Sequence, residues 1–373
     1  MYKLIHIHSE SKFLMSIDKY KHELLENSML ILGTKDQTNI NYHNTAVFFK
    51  RADENIDKIA AYISGFDLVI FEELTPFNKK LLMKLPKNVK VSWRFFGYEL
   101  YSTRLDLMLS EASIKHIDSG LKVRSKKGIR AYYKFLKYKY SYIYHFHKYV
   151  KRINNIQITS KEEYNFIKKH WMFLPKMLLI PIVRNVNYQQ LEKKDFFILG
   201  NSRNIYNNHL DILDILQHSK NRNGYKAKMF LSYGIEKEYY KAVLSKSLTL
   251  SNVETITDFL AKEEFNQIYK EASALVLNCY RQMALGNILA AIENNCKIYL
   301  NDKNALKKWL DNSGFFIFSI EDFKRDYETN NLKLDEEQAR NNIFQLNKFQ
   351  ERNTIVDFHN QVINVCKKSN EIC

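Results

Sequence analysis

The chain has 373 residues, more than one hydrophobic core usually organises, so two domains of ordinary size are expected. With 45% hydrophobic and 26% charged residues it has an ordinary globular composition, not that of a disordered chain. No apolar run approaches the roughly 20 residues that span a bilayer, and the strand-like start Met1 to His8 is too short and polar for a signal peptide, so a cytoplasmic protein is expected. Taken in chain order, short apolar runs at Lys3 to His8, Met29 to Gly33, Ala46 to Phe49, Leu68 to Phe71 and Val89 to Trp93 read as strands bounded by turn residues. Ile56 to Ile63 and Asn78 to Leu85 read as helices between them, which is the grammar of a parallel α/β sheet. His6 and His8 on the first strand are read as pointing to opposite faces, and Glu72-Glu73 at the end of a later strand as a solvated pair. Arg94 and Glu99 follow the Val89 to Trp93 strand, and a carboxylate there suits a general base or a sugar-hydroxyl ligand.

The formal charge is +16, and much of the excess falls between Lys122 and Arg152. Lys126, Lys127, Arg130 and Lys134 lie there with seven other cations and nine Tyr or Phe residues, and with no Asp or Glu. Cations interleaved with aromatic rings suit the headgroup layer of an anionic membrane. A solvated basic helix with inward aromatics, or a nucleic-acid surface, would carry the same composition, but no recognised DNA or RNA module accompanies it. After this segment Ile156 to Thr159 reads as the last strand of a first domain, with Ser160 as N-cap of a helix. The domains are placed at residues 1–185 and 186–345, with a helical tail over 346–373 that wraps back toward the first domain.

A second α/β series takes its strands from Phe196 to Leu199, Lys228 to Leu231, Val253 to Ile256, Ala274 to Leu277, Lys297 to Leu300 and Phe315 to Phe318. Its strand ends are rich in small polar residues: Gly200-Asn201-Ser202, Ser232-Tyr233-Gly234, and Thr257-Asp258-Phe259 after Ile256. Glycine admits close backbone approach, and small polar residues donate at a helix start, so the three together favour a nucleotide pocket. The stretch Asn278 to Asn301 reads as loop, helix and strand, with Arg281 and Gln282 in the loop and Gly286-Asn287 opening the helix toward an anion. Two doubly wound domains are expected to face each other across a ligand-binding cleft. Cys279, Cys296, Cys366 and Cys373 show no metal-type spacing and read as reduced thiols. The chain has no P-loop, dinucleotide fingerprint, nucleophile elbow or Asp-x-Asp pair.

These residues resemble family 56 of the glycosyltransferases, which carries 4-acetamido-4,6-dideoxygalactose transfer in enterobacterial common antigen synthesis. The matching pieces are Leu4-Ile5-His6, Trp93 with Phe96 to Tyr101, Leu199 to Ser202 with Asn208-His209, and Tyr269 through Asn304 with Arg281-Gln282, Gly286, Asn301 and Asn304. The resemblance implies a GT-B fold of two Rossmann-like domains. It also implies a peripheral enzyme on the cytoplasmic face of the bacterial inner membrane, moving an amino-deoxysugar from a dTDP-sugar to a polyprenyl-diphosphate-linked saccharide for surface polysaccharide such as lipopolysaccharide. Glu99 and Phe96 stand where the family has aspartate and tryptophan, and Met283 and Ala291 stand near places that hold paired glutamates in many GT-B enzymes. On this reading Gly200, Asn201, Ser202, Gly286 and Asn287 cradle the diphosphate, Arg281 neutralises the leaving group beside Gln282, and Tyr233 and Ile256 border the base. Glu99 is the first choice for the base and His6 the second, with Arg94 and the basic segment serving acceptor or membrane. No metal or other cofactor and no nucleic-acid partner is expected. A UDP-sugar donor with another acceptor, and a non-enzymatic membrane-surface module, stay open as alternatives.

Overall fold

The computed structural model describes the chain outside residues 9–16, 34–45, 102–104, 117–145, 172, 222–223, 235–236, 353 and 368–373. Lys126, Lys127, Arg130, Lys134 and Cys373 therefore lie outside the described residues, as does most of the basic aromatic segment. Two compact units emerge. The first gathers the described residues of Met1–Glu99, Tyr138–Val183 and Phe349–Cys373, and the second those of Leu100–Lys137 and Arg184–Lys348.

The first unit is built on seven strands: β1 (Tyr2–His8), β2 (Leu25–Leu32), β3 (Ala46–Phe49), β4 (Leu68–Phe71), β5 (Lys90–Arg94), β6 (Asn155–Ile158) and β7 (Lys176–Leu179). They pair in parallel in the order β3-β2-β1-β4-β5-β6-β7, so the chain reverses its direction of winding between β1 and β4. β4 is buried along its whole length, as a strand covered on both faces must be, and its Leu-Val-Ile-Phe run is correspondingly continuous rather than alternating. Thr75 caps the helix Pro76–Lys84 by accepting from Asn78 N–H, with Pro76 in the first turn where its missing donor costs nothing. Ser160 caps Lys161–His170 by accepting from Glu163 N–H.

The helix Ile355–Lys367 belongs to this same unit, far in sequence from the strands that it covers. Phe358, Val362, Ile363 and Cys366 form its apolar stripe and pack with Leu4, Tyr20, Leu25, Leu68, Ile70 and Leu178.

The second unit holds β8 (Lys194–Leu199), β9 (Lys226–Phe230), β10 (Val253–Ile256), β11 (Ala272–Leu277), β12 (Lys297–Leu300) and β13 (Phe318–Ser319). Their order is β10-β9-β8-β11-β12-β13, again all parallel, with the reversal between β8 and β11. This is the doubly wound order in which ligands sit outside the carboxyl ends of the strands at the reversal point. The last strand begins three residues later than its apolar run suggested, since only Phe318 and Ser319 pair with β12, and it ends where Ser319 becomes N-cap of the helix Ile320–Glu328 in a complete capping box with Asp322. No helix among the described residues is long and apolar enough to cross a membrane.

Phe358→Ala should cost about 3–5 kcal/mol of unfolding free energy, the range for truncating a fully buried aromatic. Chemical denaturation of the full chain measures it, and a loss below about 1 kcal/mol would mean that the terminal helix is not part of this core.

Candidate active site

At the reversal point of the second unit, Gly200 leaves β8 with φ at +67° and donates its N–H to Val276 of β11. A methyl group added there would stand 2.4 Å from His209 Nε2, so the position admits only glycine without rearrangement. His209 is fully buried, and burial pushes its imidazole down to about 3, so the ring is neutral. Tyr239 holds it: the His209 N–H donates to the Tyr239 hydroxyl at 2.7 Å, and Nδ1 lies 3.3 Å from the same oxygen.

Asparagines then tie the loops together. Asn208, at φ +48°, donates from Nδ2 to the carbonyls of Met108 and Asn278 and accepts from Ser110 N–H. Asn278 accepts from Asn301 Nδ2, and Asn304 donates to the Cys279 carbonyl while capping the helix Ala305–Asn312. Asn207 donates to the Ser202 carbonyl and accepts from the Cys279 thiol. That thiol is fully buried, and burial pushes it up to about 12, which removes it as a nucleophile.

Arg281 is held by this frame. Its guanidinium lies 5.2 Å from the Tyr206 ring and 5.9 Å from the Tyr101 ring, and Nη1 donates to the Gln282 carbonyl. The residue is 8% exposed, so its charge sits in a partly desolvated place where it acts strongly on an anion. The helix Leu285–Glu293 begins directly after, from Ala284 in the left-handed region and with no side chain among the described residues capping it. Its first backbone bond runs from Ile288 N–H to the Ala284 carbonyl, so the N–H groups of Leu285, Gly286 and Asn287 precede the ladder. A methyl group added at Gly286 would meet nothing within 4 Å. Packing against the described residues therefore does not require this glycine, although glycine weakens a helix.

Asn287 differs from expectation: its side chain donates to the Tyr269 hydroxyl, which leaves only its backbone N–H at the helix start. Asn201 donates to the Tyr233 hydroxyl, Ser202 is buried beneath it, and the half-buried Ile256 ends β10 by accepting from Leu231 N–H. Tyr233 stacks with Phe259 at 6.1 Å and 15°, and both rings are substantially exposed, a flat apolar surface at the ends of β9 and β10. A cavity of about 260 Å³ lined by Lys297, Phe318, Arg325 and Asp326 lies at the opposite, amino end of β12 and is separate from this constellation.

In the first unit, Glu72 is only 2% exposed and Glu73 half-buried, so the first of the pair expected to be solvated is not. His6 and His8 are also buried and share a face, because residues two apart on a strand do so. His6 Nδ1 lies 3.2 Å from Glu72 Oε1 and its Nε2 3.2 Å from Asn27 Oδ1, while Arg94 Nε lies 3.6 Å from Glu72 Oε2. Burial raises the Glu72 carboxyl, but the His6 bond and the Arg94 charge outweigh it and bring it down to about 2. Burial pushes His8 down to about 4. Glu99 is 3% exposed, and its Oε1 accepts from Trp93 Nε1 and Leu74 N–H. Burial dominates there and raises its carboxyl to about 7. Sequence reasoning missed the Glu72 cluster, Tyr101 and Tyr206; only the first had a signal, a His-x-His strand beside a strand ending in a carboxylate.

No protein-family profile and no curated protein matches the chain. Solved structures do. Sucrose-phosphate synthase from Thermosynechococcus elongatus superposes with a TM-score of 0.63 at 9% identity, covering 98% of each chain. A UDP-forming α,α-trehalose-phosphate synthase from Burkholderia xenovorans gives 0.63 at 6% identity over 100% of both. Anabaena HepE, solved with UDP-glucose, gives 0.62 at 10% identity over 98% of this chain and 99% of its own. This chain has the GT-B fold.

Two outcomes test the geometry. Gly200→Ala should destabilise the protein by roughly 1–3 kcal/mol through its positive φ and the His209 contact, whereas Gly286→Ala should change stability by no more than about 1 kcal/mol; thermal melts of the two variants compare them. Glu99 binds its proton more tightly folded than unfolded, so it costs nothing below about pH 4.5 and progressively destabilises up to about pH 7, above which the penalty is constant. Glu99→Gln should therefore raise stability near pH 8 by on the order of 3 kcal/mol and leave it unchanged near pH 4, as read from urea midpoints.

Proposed function

We propose that the chain is a glycosyltransferase that takes its sugar from a nucleoside-diphosphate donor bound, without a metal ion on the diphosphate, at the β8–β11 reversal point. The observation that carries this reading is the helix start at Gly286. Three N–H groups precede the helix ladder, at a glycine whose Cβ position is open among the described residues and beside an arginine that lies near two tyrosine rings. Such a place suits a diphosphate whose charge grows as the glycosidic bond to the donor breaks, and preorganised donors aimed at developing charge are a large catalytic term. Gly200, Asn201 and Ser202 would meet the diphosphate from the β8 loop, and the Tyr233–Phe259 surface together with Ile256 would border the base.

The donor we propose is a dTDP-linked amino-deoxysugar and the acceptor a polyprenyl-diphosphate-linked saccharide, used in surface polysaccharide synthesis at the cytoplasmic face of the inner membrane. The support is the family 56 resemblance, with the basic segment around Lys126, Lys127, Arg130 and Lys134 meeting anionic lipid. HepE was solved with UDP-glucose, which favours UDP as the competing donor nucleotide. Glu99 is the proposed base toward the acceptor hydroxyl: a carboxyl raised to about 7 exchanges its proton near neutral pH.

In a thermal-shift titration dTDP should stabilise the protein more than UDP does, since a ligand bound only by the folded state raises its melting temperature. Gly286→Ala should weaken that shift while changing unliganded stability by no more than about 1 kcal/mol, and Arg281→Ala should lower transfer by about 10²–10³-fold. A larger shift with UDP would reassign the donor, no shift with either would remove the donor site, and unchanged transfer by the arginine variant would remove its role.

A further inference from the structure

The cluster at the end of β1 sets one histidine between two acceptors and leaves a second without a hydrogen-bond partner among the described residues. Asn27 is oriented without ambiguity, because its Nδ2 donates to the carbonyls of Tyr20 at 2.9 Å and Leu25 at 3.4 Å. Its Oδ1 therefore faces His6 Nε2, and an amide oxygen only accepts, so His6 carries a proton on Nε2. In a neutral imidazole the remaining lone pair is on Nδ1. That nitrogen faces Glu72 Oε1 at 3.2 Å, another acceptor. Two acceptors at this distance need something positive between them. The neighbouring His8 is 1% exposed, and neither of its ring nitrogens has a hydrogen-bond partner among the described residues, an expensive state for a buried imidazole.

One ligand atom each from His6, His8 and Glu72 lies within 4.8 Å of the other two. Bonds of about 2.0–2.1 Å to a tetrahedral ion place its ligands roughly 3.3 Å apart, close to the spacing between His6 Nδ1 and Glu72 Oε1. We infer that His6, His8 and Glu72 form a binding site for a divalent transition-metal cation of the zinc class. Imidazole and carboxylate are the ligand types that such an ion takes. Asn27 supplies the outer hydrogen bond that fixes the tautomer of His6, as second partners of metal-bound histidines do. Arg94 Nε lies 3.6 Å from the other carboxylate oxygen, Oε2, and so balances charge on the side of the carboxylate away from His6. The site lies in the sheet of the first unit and does not rest on the donor reading, so either can fail without the other.

The test uses the untagged full chain, stripped with chelator and titrated with Zn²⁺ and with Co²⁺. About one equivalent of zinc by elemental analysis, a raised melting temperature, and visible d–d absorption from cobalt in a four-coordinate site are expected. His8→Gln and Glu72→Gln should abolish that equivalent, Asn27→Ala should weaken it about 10–100-fold, and His218→Gln, at an exposed histidine, should leave it intact. A wild-type chain that binds neither ion overturns the inference and makes His6 and Glu72 an imidazolium–carboxylate pair only; that titration does not depend on any variant folding. Unchanged affinity in a folded His8→Gln protein overturns it as well.

Discussion

The loops that leave β8, β11 and β12 run through buried space where no neighbouring strand is left to pair their peptide groups, and asparagine side chains take over that pairing. Asn208 alone engages Met108 and Ser110 on one side and Asn278 on the other, 98 to 100 residues before it and 70 after it along the chain. An amide can donate and accept at once and carries no charge, so it satisfies a carbonyl and an N–H in a low-dielectric place without a Born penalty. The placement of Arg281 and the entry into the Leu285–Glu293 helix both follow from this frame, because the loop carrying them begins at Asn278 and is pinned again at Cys279.

The two units solve the same topological problem with different chemistry. At its reversal point the second uses neutral amides and a neutral histidine wedged against a glycine. The first gathers ionisable groups at its own, with Glu72 driven to the charged form and His8 to the neutral one. Buried titratable groups of this kind cost stability and cluster where chemistry or binding is done. Glu99, held near neutrality by burial while accepting from Trp93 and Leu74, belongs to the same economy.

Much of the fold is legible in the residues because continuous apolar runs such as Leu68 to Phe71 and Ala274 to Leu277 can only be strands covered on both faces. Lys176–Leu179 escaped that reading: two of its four residues are half-buried and one is exposed, so its pattern resembles that of a connection. The glycines of the site were visible, yet their reasons were not. Gly200 answers to His209 nine residues on, and Gly286 to empty space, and neither can be learned from spacing. The roles of Tyr101 and Tyr206 depend on contacts across a long stretch of sequence, which no local periodicity encodes. The His6, His8 and Glu72 grouping was within reach, since alternate residues of a strand share a face and β1 adjoins β4 at the reversal.

The first unit is assembled from three stretches of chain, and the last of them covers Leu4, Leu68 and Ile70 with Phe358 and Val362. During synthesis the strands of this unit leave the ribosome long before residues 355–367 exist. For that interval an apolar patch that the finished protein hides is open to water, to other nascent chains and to chaperones. The second unit closes its sheet from one nearly continuous stretch, Arg184–Lys348, and meets no such delay. A chain that ends before Ile355 lacks the helix that covers Leu4, Leu68 and Ile70, and so leaves that apolar patch bare.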